Sequence, residues 1–367
     1  MRANNPRRFY FTLIAILSLL FSVFVYYSGF RKALTGLNQP VSILLRKNTG
    51  LSSLAKKLKA RGWVKSTLLV LSIAYLQGTD HLHFGEYWVR PGETLSELLI
   101  KMSKATDLVQ HKITFAEGVT FQQMLWQLAA DPYVDHSLEG DSPEAVMQSL
   151  GLPVSSPEGL FFPDTYTYTW GVSDKTILLS AYREMQTKLT EFWATRSRRL
   201  PYRSPYQALI AASLIQSEVA LPSEAPLVSS VIVNRLKKHM RLQIDPTVMY
   251  GLQLPFGSEL TRQDLRSVTP YNTYLIRGLP PTPINMPGAV ALQSAVHPAS
   301  STYLYYVSDS QGGHFFSSNY LEHRRAVARY RARQRKSKND VSRTTDGVAS
   351  ASLPPFQSDH VIRSHGA

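Results

Sequence analysis

The sequence predicts an α+β protein: a single N-terminal transmembrane helix, a small α+β module, and a larger mixed α/β domain. Three observations carry this reading. An uncharged apolar run, Phe9 to Tyr27, lies near the N-terminus. Residues 41–106 alternate strand-like and helical patterns over short distances. Between 107 and 331, helical periodicity recurs between short strand signals and closes on a hairpin.

Composition bounds the rest. The chain has 367 residues, 44% hydrophobic and 18% charged, which is ordinary globular usage and excludes collagen-like or wholly disordered chains. At about 100–200 residues per domain, two folded domains are expected. The net charge of +14 permits nucleic acid, anionic lipid or an anionic polymer as partner and selects none of them. Cysteine is absent, which removes disulfides, thiolate zinc sites, Fe–S clusters and cysteine nucleophiles together.

Phe9 to Tyr27 is 19 residues long, and as a helix it spans roughly 28 Å, close to the hydrocarbon thickness. Aromatics sit at both ends. Residues 9–28 are therefore read as the transmembrane helix. Arg2, Arg7 and Arg8 keep residues 1–8 cytoplasmic, although Arg31 and Lys32 weaken that asymmetry. A cleaved signal peptide is the alternative. It would carry an apolar run of about 7–15 residues and a small-x-small site, and Ser28-Gly29-Phe30-Arg31-Lys32 offers none. The rest of the chain then lies outside the cytoplasm, in a bacterium the periplasm, which argues against a nucleic-acid partner.

Residues 29–40 are expected to be a linker. In the module 41–106, Ser52 to Leu58 and Ser66 to Tyr75 are helical, Gly85 to Gly92 is strand then turn, and Leu95 to Ser103 is a helix capped by Thr94. Its shape is similar to small glycan-binding modules of the LysM type. Beyond it, His111 to Phe115 is a strand, Thr120 to Ala130 a helix, and 131–157 loop-rich. Asp174 to Thr195 is a long helix, with apolar spacings of 3 and 4 from Ile177 to Phe192. Arg241 to Ile244 reads as a short strand, and Tyr303 to Ser317 as a hairpin. The Ser/Thr/Pro tail, 332–367, cannot bury enough apolar area to order itself.

The chemistry concentrates after residue 204. Ser204 caps a helix, Pro205 takes its first position and Gln207 completes a capping box. The helix then carries no charge until Glu218, and Ile210, Leu214 and Glu218 align on one face. Partial burial and the helix C-terminus both disfavour the ionised carboxylate, and a carboxylic acid held neutral near pH 7 suits general acid catalysis. The plainer reading is that Glu218 marks where the helix meets solvent. Residue chemistry alone leaves both open. Ser223 is expected to cap a helix from Glu224 to Lys238, with Glu224 complementing its dipole, and Asp245 to cap the next helix. Aromatic faces with amide and hydroxyl donors, as in Tyr271-Asn272-Thr273-Tyr274, suit sugar rings, and turns use the same residues. His297 is read as either a ligand contact or a satisfied buried histidine. The sequence has no metal-ligand spacing, no phosphate-binding glycine motif and no serine-nucleophile elbow, and no cofactor is expected.

At these residues the chain resembles the MltG (YceG-like) family of endolytic murein transglycosylases of bacterial inner membranes. The resemblance rests on Ser217-Glu218, Ser223-Glu224, Asn234-Arg235-Leu236, Met240 to Val248, Tyr271-Asn272-Thr273-Tyr274, Gly278-Leu279-Pro280-Pro281, His297-Pro298, Tyr303 to Val307 and Gly312-Gly313-His314-Phe315. Glu117-Gly118 and Glu158 to Tyr166 add to it. It covers roughly residues 40–331. It implies that 107–331 is the catalytic domain of a lyase that cuts MurNAc-β-1,4-GlcNAc bonds and leaves 1,6-anhydro-MurNAc ends. The family's catalytic glutamate falls on Glu218. Gln243, Asp245, Tyr271, Asn272, Thr273 and Tyr274 become candidate groove residues, with Asn234 and Arg235 beside them. Peptidoglycan glycan strands, the inner membrane bilayer and peptidoglycan synthases are the implied partners. One departure stands out: the family usually has an acidic residue two before the catalytic one, and here that position is Gln216. A non-catalytic, membrane-tethered peptidoglycan-binding scaffold is the alternative, as is a two-carboxylate hydrolase pairing Glu218 with Glu224 or Asp245.

Overall fold

The structure is a computed structural model that describes residues 6–138, 140–152 and 156–346, with side chains from 10 to 334. The chain divides into two compact units. One comprises Met1–Lys112, Pro132–Asp135 and Thr167–Val172; the other comprises Ile113–Asp131, His136–Tyr166 and Ser173–Ala367.

In the first unit, helix α1 (Pro6–Val25) runs on into a π-helical turn, Tyr26–Arg31. The stretch Tyr10–Arg31 is long and apolar enough to cross a membrane, and most of it is exposed. Its end is not: Val25 and Gly29 are buried. A Cβ on Gly29 would fall 1.6 Å from Ile73 Cδ1, so only glycine admits this approach. The expected linker thus begins as helix. Leu34, within it, is buried, and its N–H donates to Glu93 O at 2.8 Å.

Strand β1 (Val41–Leu45), helices α2 (Leu51–Ala60) and α3 (Thr67–Gln77), strand β2 (Gly85–Val89) and helix α4 (Leu95–Lys104) follow. β1 and β2 pair antiparallel, with Ile43 opposite Tyr87. Alternation along the strands turns Ile43, Leu45, Tyr87 and Val89 inward. They meet Leu54 and Leu58 of α2, Val70 and Ile73 of α3, and Leu98 and Leu99 of α4. Thr94 closes a capping box with Glu97 at the start of α4.

The unit boundary falls inside β3 (Gln110–Thr114). In the second unit, α5 (Phe121–Ala130) is capped by Thr120, and Glu158 accepts from Phe121 N–H at its start. α6 (Pro143–Ser149) lies within the stretch read as loop; Ser142 caps it and Pro143 opens it. After β4 (Thr165–Thr169), helices α7 (Asp174–Ala194), α8 (Pro205–Glu218), α9 (Ala225–Lys237), α10 (Asp245–Gly251) and α11 (Ala289–Val296) build the core. α8 is the centre: α7, α9, α10 and α11 all pack on it, and Ala208 to Ile215 are buried without a break. That explains its apolar surface all round.

β5 (Tyr305–Ser308) and β6 (His314–Ser317) form the expected hairpin, with Tyr306 opposite Phe316 and Ser308 opposite His314. Helix α12 (Tyr320–Asp346) covers it through Ala326 and Tyr330 against Val307. The sequence predicts disorder from 332, but the helix continues to Asp346. Arg, Ala, Gln and Lys favour helix, and no Gly or Pro interrupts before Gly347. The remainder of the tail and residues 1–5 lie outside the described residues.

Candidate active site

Glu218 is the last residue of α8. Ser204 caps the other end, accepting from Gln207 N–H at 3.3 Å, and Pro205 takes the first position. Glu218 is 7% exposed. Burial pushes its carboxyl up to about 7. A hydrogen bond from Tyr306 opposes that rise, the Asp245 carboxylate adds to it, and the Arg235 guanidinium subtracts. The Tyr306 hydroxyl donates to Glu218 Oε2 at 2.7 Å. Glu158 is also buried and pushed up, to about 8, but its carboxylate faces the backbone N–H of Phe121. A raised value alone therefore does not single out Glu218; its hydroxyl partner and charged neighbours do.

Arg235, on α9, is buried and tied to backbone. Its Nε donates to Leu304 O at 2.6 Å, and its Nη1 donates to Leu242 O at 2.8 Å. Its guanidinium lies 5.1 Å from the Tyr305 ring centre. Asn234 donates to Ser301 O and Tyr303 O at 3.0 and 2.9 Å. Both side chains pin the hairpin to α9.

The loop before α10 departs from the expected strand. Gln243 adopts φ +53°, which a strand cannot continue, and its N–H donates to Thr273 O. Its exposed side chain accepts from Arg235 Nη1 at 3.4 Å. Asp245 was expected to cap α10. Ile244 holds the cap position instead, and Asp245 opens the helix. Its carboxylate accepts from the Tyr274 hydroxyl at 2.5 Å.

The Tyr271 to Tyr274 cluster splits by burial. Asn272 and Thr273 are fully enclosed. Asn272 donates to Leu265 O and Ser267 O, and its Oδ1 accepts from Tyr274 N–H. The Thr273 hydroxyl meets Thr247 Oγ1 at 2.8 Å and accepts from Ile244 N–H. Their polar groups thus serve the loop, and enclosure keeps them from a sugar in this conformation. Tyr271 and Tyr274 are half-buried, and the Tyr271 hydroxyl lies 2.9 Å from Thr282 Oγ1.

Glu224 sits at the cap position of α9, one residue before the expected first turn, and makes no side-chain cap bond. A 3-10 turn, Pro222–Glu224, precedes α9, and the expected cap by Ser223 is not formed. The Glu224 carboxylate accepts from His314 N–H at 2.9 Å and lies 2.6 Å from His314 Nδ1. His297 sits 3.2 Å from Thr195 Oγ1, a satisfied position. Gln216 accepts from Gly288 N–H at 3.0 Å, a bond between helix and loop. Tyr306 and His314 lie in segments that carry the family resemblance, but the sequence assigned them no part in the site. Strand alternation puts Tyr306 on the face opposite Tyr305, but no spacing says which face meets α8. Among the described residues, no group of three or more His, Asp or Glu is arranged to hold a metal.

The model of the YceG-like family matches residues 43–329. The chain belongs to the YceG-like family. A curated relative, the endolytic murein transglycosylase of Bacillus subtilis, is 26% identical over 306 residues, covering 79% of this chain and 84% of that protein. The endolytic murein transglycosylase of Streptococcus pneumoniae D39 is 25% identical over 326 residues, covering 79% of this chain and 58% of that longer protein. A crystal structure of a yceG-like protein from Listeria monocytogenes aligns with a TM-score of 0.50 at 24% identity, covering 78% of this chain and 99% of that one. That likeness supports the YceG-like fold.

Proposed function

We propose that this chain is a membrane-anchored lytic transglycosylase of murein, with Glu218 as its single acid–base. The observation that carries the proposal is the buried carboxyl at the end of α8, pushed up to about 7 and held by Tyr306. Protonated Glu218 donates to the glycosidic oxygen between MurNAc and GlcNAc, and that C–O bond breaks. The MurNAc N-acetyl group stabilises the developing cation at C1. Glu218, now a carboxylate, takes the proton of the C6 hydroxyl as O6 bonds to C1. The product end is 1,6-anhydro-MurNAc, the carboxyl is protonated again, and no water is consumed. One carboxylate thus suffices, whereas the common hydrolytic schemes use a pair.

Gln243, Asp245, Tyr271 and Tyr274 are proposed to line the glycan groove. Asn234, Arg235, Asn272 and Thr273 hold those residues and the hairpin in place. The helix ending at Arg31 is proposed as a single-pass inner-membrane anchor with a cytoplasmic N-terminus, which places the catalytic domain in the periplasm. The β-α-α-β order of residues 41–89 supports the LysM-like, glycan-binding reading of the module. An anchored enzyme reaches glycan near the membrane, which points to nascent strands, a limit on their length, and nearby synthases.

Digestion of purified sacculi followed by mass spectrometry tests the reaction. Anhydro-ended fragments that vanish with Glu218→Gln are expected. Reducing ends carrying oxygen from labelled water would instead identify a two-carboxylate hydrolase using Asp245 or Glu224. Binding without any release of fragments would identify a scaffold.

A further inference from the structure

Helix α3 has an outer face that a water-facing helix does not carry. Its eleven residues, TLLVLSIAYLQ, contain no charge. Val70, Ile73 and Ala74 turn into the core of the module. At 3.6 residues per turn, Leu68, Leu71, Ser72, Tyr75 and Leu76 fall on the opposite side within an arc of roughly 140°. Leu68, Tyr75 and Leu76 are 59%, 83% and 65% exposed. The neighbouring helix α2 shows the ordinary pattern instead: Ser52, Ser53, Lys56 and Lys59 face outward. A helix that is apolar all round has something covering both sides, and the protein covers one side of α3.

The position of α3 says what covers the other. The anchor and its π-helical turn pack against α3, with Gly29 seated on Ile73. Tyr26 and Tyr27 are exposed at this end of the anchor, as are Arg31 and Lys32, the residue types that favour the headgroup level. α3 therefore lies where the anchor leaves the hydrocarbon. We infer that the outer face of α3 rests in the phospholipid interface, so that the module lies on the bilayer rather than hanging from it. The inference rests on reading α1 as a membrane anchor.

The absence of cysteine makes single-cysteine labelling clean in the full chain. Leu68→Cys, Leu76→Cys, Leu17→Cys in α1 and Ser53→Cys on α2 would each carry a nitroxide. The proteins would be reconstituted at high dilution in vesicles of phosphatidylethanolamine and phosphatidylglycerol. The readout is collision with oxygen against collision with a water-soluble nickel chelate. The label at 17 is expected deep in the hydrocarbon, those at 68 and 76 about 5–10 Å below the surface, and that at 53 in water. Labels at 68 and 76 that match 53, while 17 stays deep, would overturn the interfacial face and leave the anchor standing. A label at 17 that matches 53 would overturn the anchor and the interfacial face together. Spin–spin broadening at 68 and 76 would assign the face to a second copy of the chain and so overturn the inference.

Discussion

Tyr306 donates its hydroxyl proton to Glu218 Oε2 across 88 residues of sequence. This bond favours the ionised carboxylate, against the burial that favours the neutral one. The two effects together hold the group near the pH at which it can both give and take a proton.

Tyr306→Phe removes the bond and keeps the ring against His314 and Phe316. The Glu218 carboxyl then titrates higher. Activity that needs its protonated form should persist to higher pH, with the alkaline limb displaced upward by about one unit. The maximal rate should fall about tenfold because the carboxyl loses its fixed orientation. Product release measured across pH checks both. An unchanged alkaline limb would remove Tyr306 from this role.

Asp245→Asn acts in the opposite direction. The Asp245 charge raises Glu218, so its loss should move the alkaline limb to lower pH. The amide oxygen can still accept from Tyr274, so the loop should stay in place. Opposite displacements from these two variants, read in one assay, would tie the limb to Glu218.

Glu218→Gln should abolish turnover and yet stabilise the fold at alkaline pH. The folded carboxyl is raised from an ordinary 4.5 to about 7, so between these values the folded state binds more protons than the unfolded state. Stability linked to this proton is complete below the lower value and is lost as pH rises through the upper one. The loss is about 3 kcal/mol at most. Thermal melts should show the Gln variant gaining on the native protein between pH 5 and pH 8.5. Parallel melting curves across that range would mean that Glu218 is better solvated than its burial implies.

Glu224→Ala should loosen the hairpin that carries Tyr306. It leaves His314 N–H without its acceptor, at a cost of about 1–3 kcal/mol, and activity should fall with it. Glu224→Gln retains an acceptor oxygen and should recover most of both. Denaturant titrations beside rate measurements separate the two. Full activity in the Ala variant would mean that Tyr306 needs no such support.

Helix α8 was legible because its signals are local: Ser204 before Pro205, then an uncharged run up to Glu218. Glu218 stood out because it ends that run. The partners of Glu218 were not legible in the same way. Tyr306 and His314 reach α8 and Glu224 from 88 and 90 residues away, and no periodicity encodes a contact of that range. Asp245-Pro246 carries the pattern of a capped helix start, but the left-handed turn at Gln243 shifted the cap to Ile244 and gave the carboxylate to Tyr274. The polar cluster at 271–274 was visible as a cluster, while its division into buried and half-buried members depends on how the loop packs under α10.

Gly288 stands at a three-way junction. Its N–H donates to Gln216, two residues before Glu218, and a Cβ placed on it would fall 1.7 Å from Glu117 Oε1. The segment after Glu117 is laced to the loop before Gly288, with Gly118 N–H donating to Met286 O and Met286 N–H to Val119 O, each at 2.8 Å. A methyl here would meet the end of the exposed Glu117 side chain, which would have to turn away from the loop. Glycine at this position leaves room for Glu117 to lie over the backbone, while its own N–H ties the loop to the last turn of α8, two residues short of the acid.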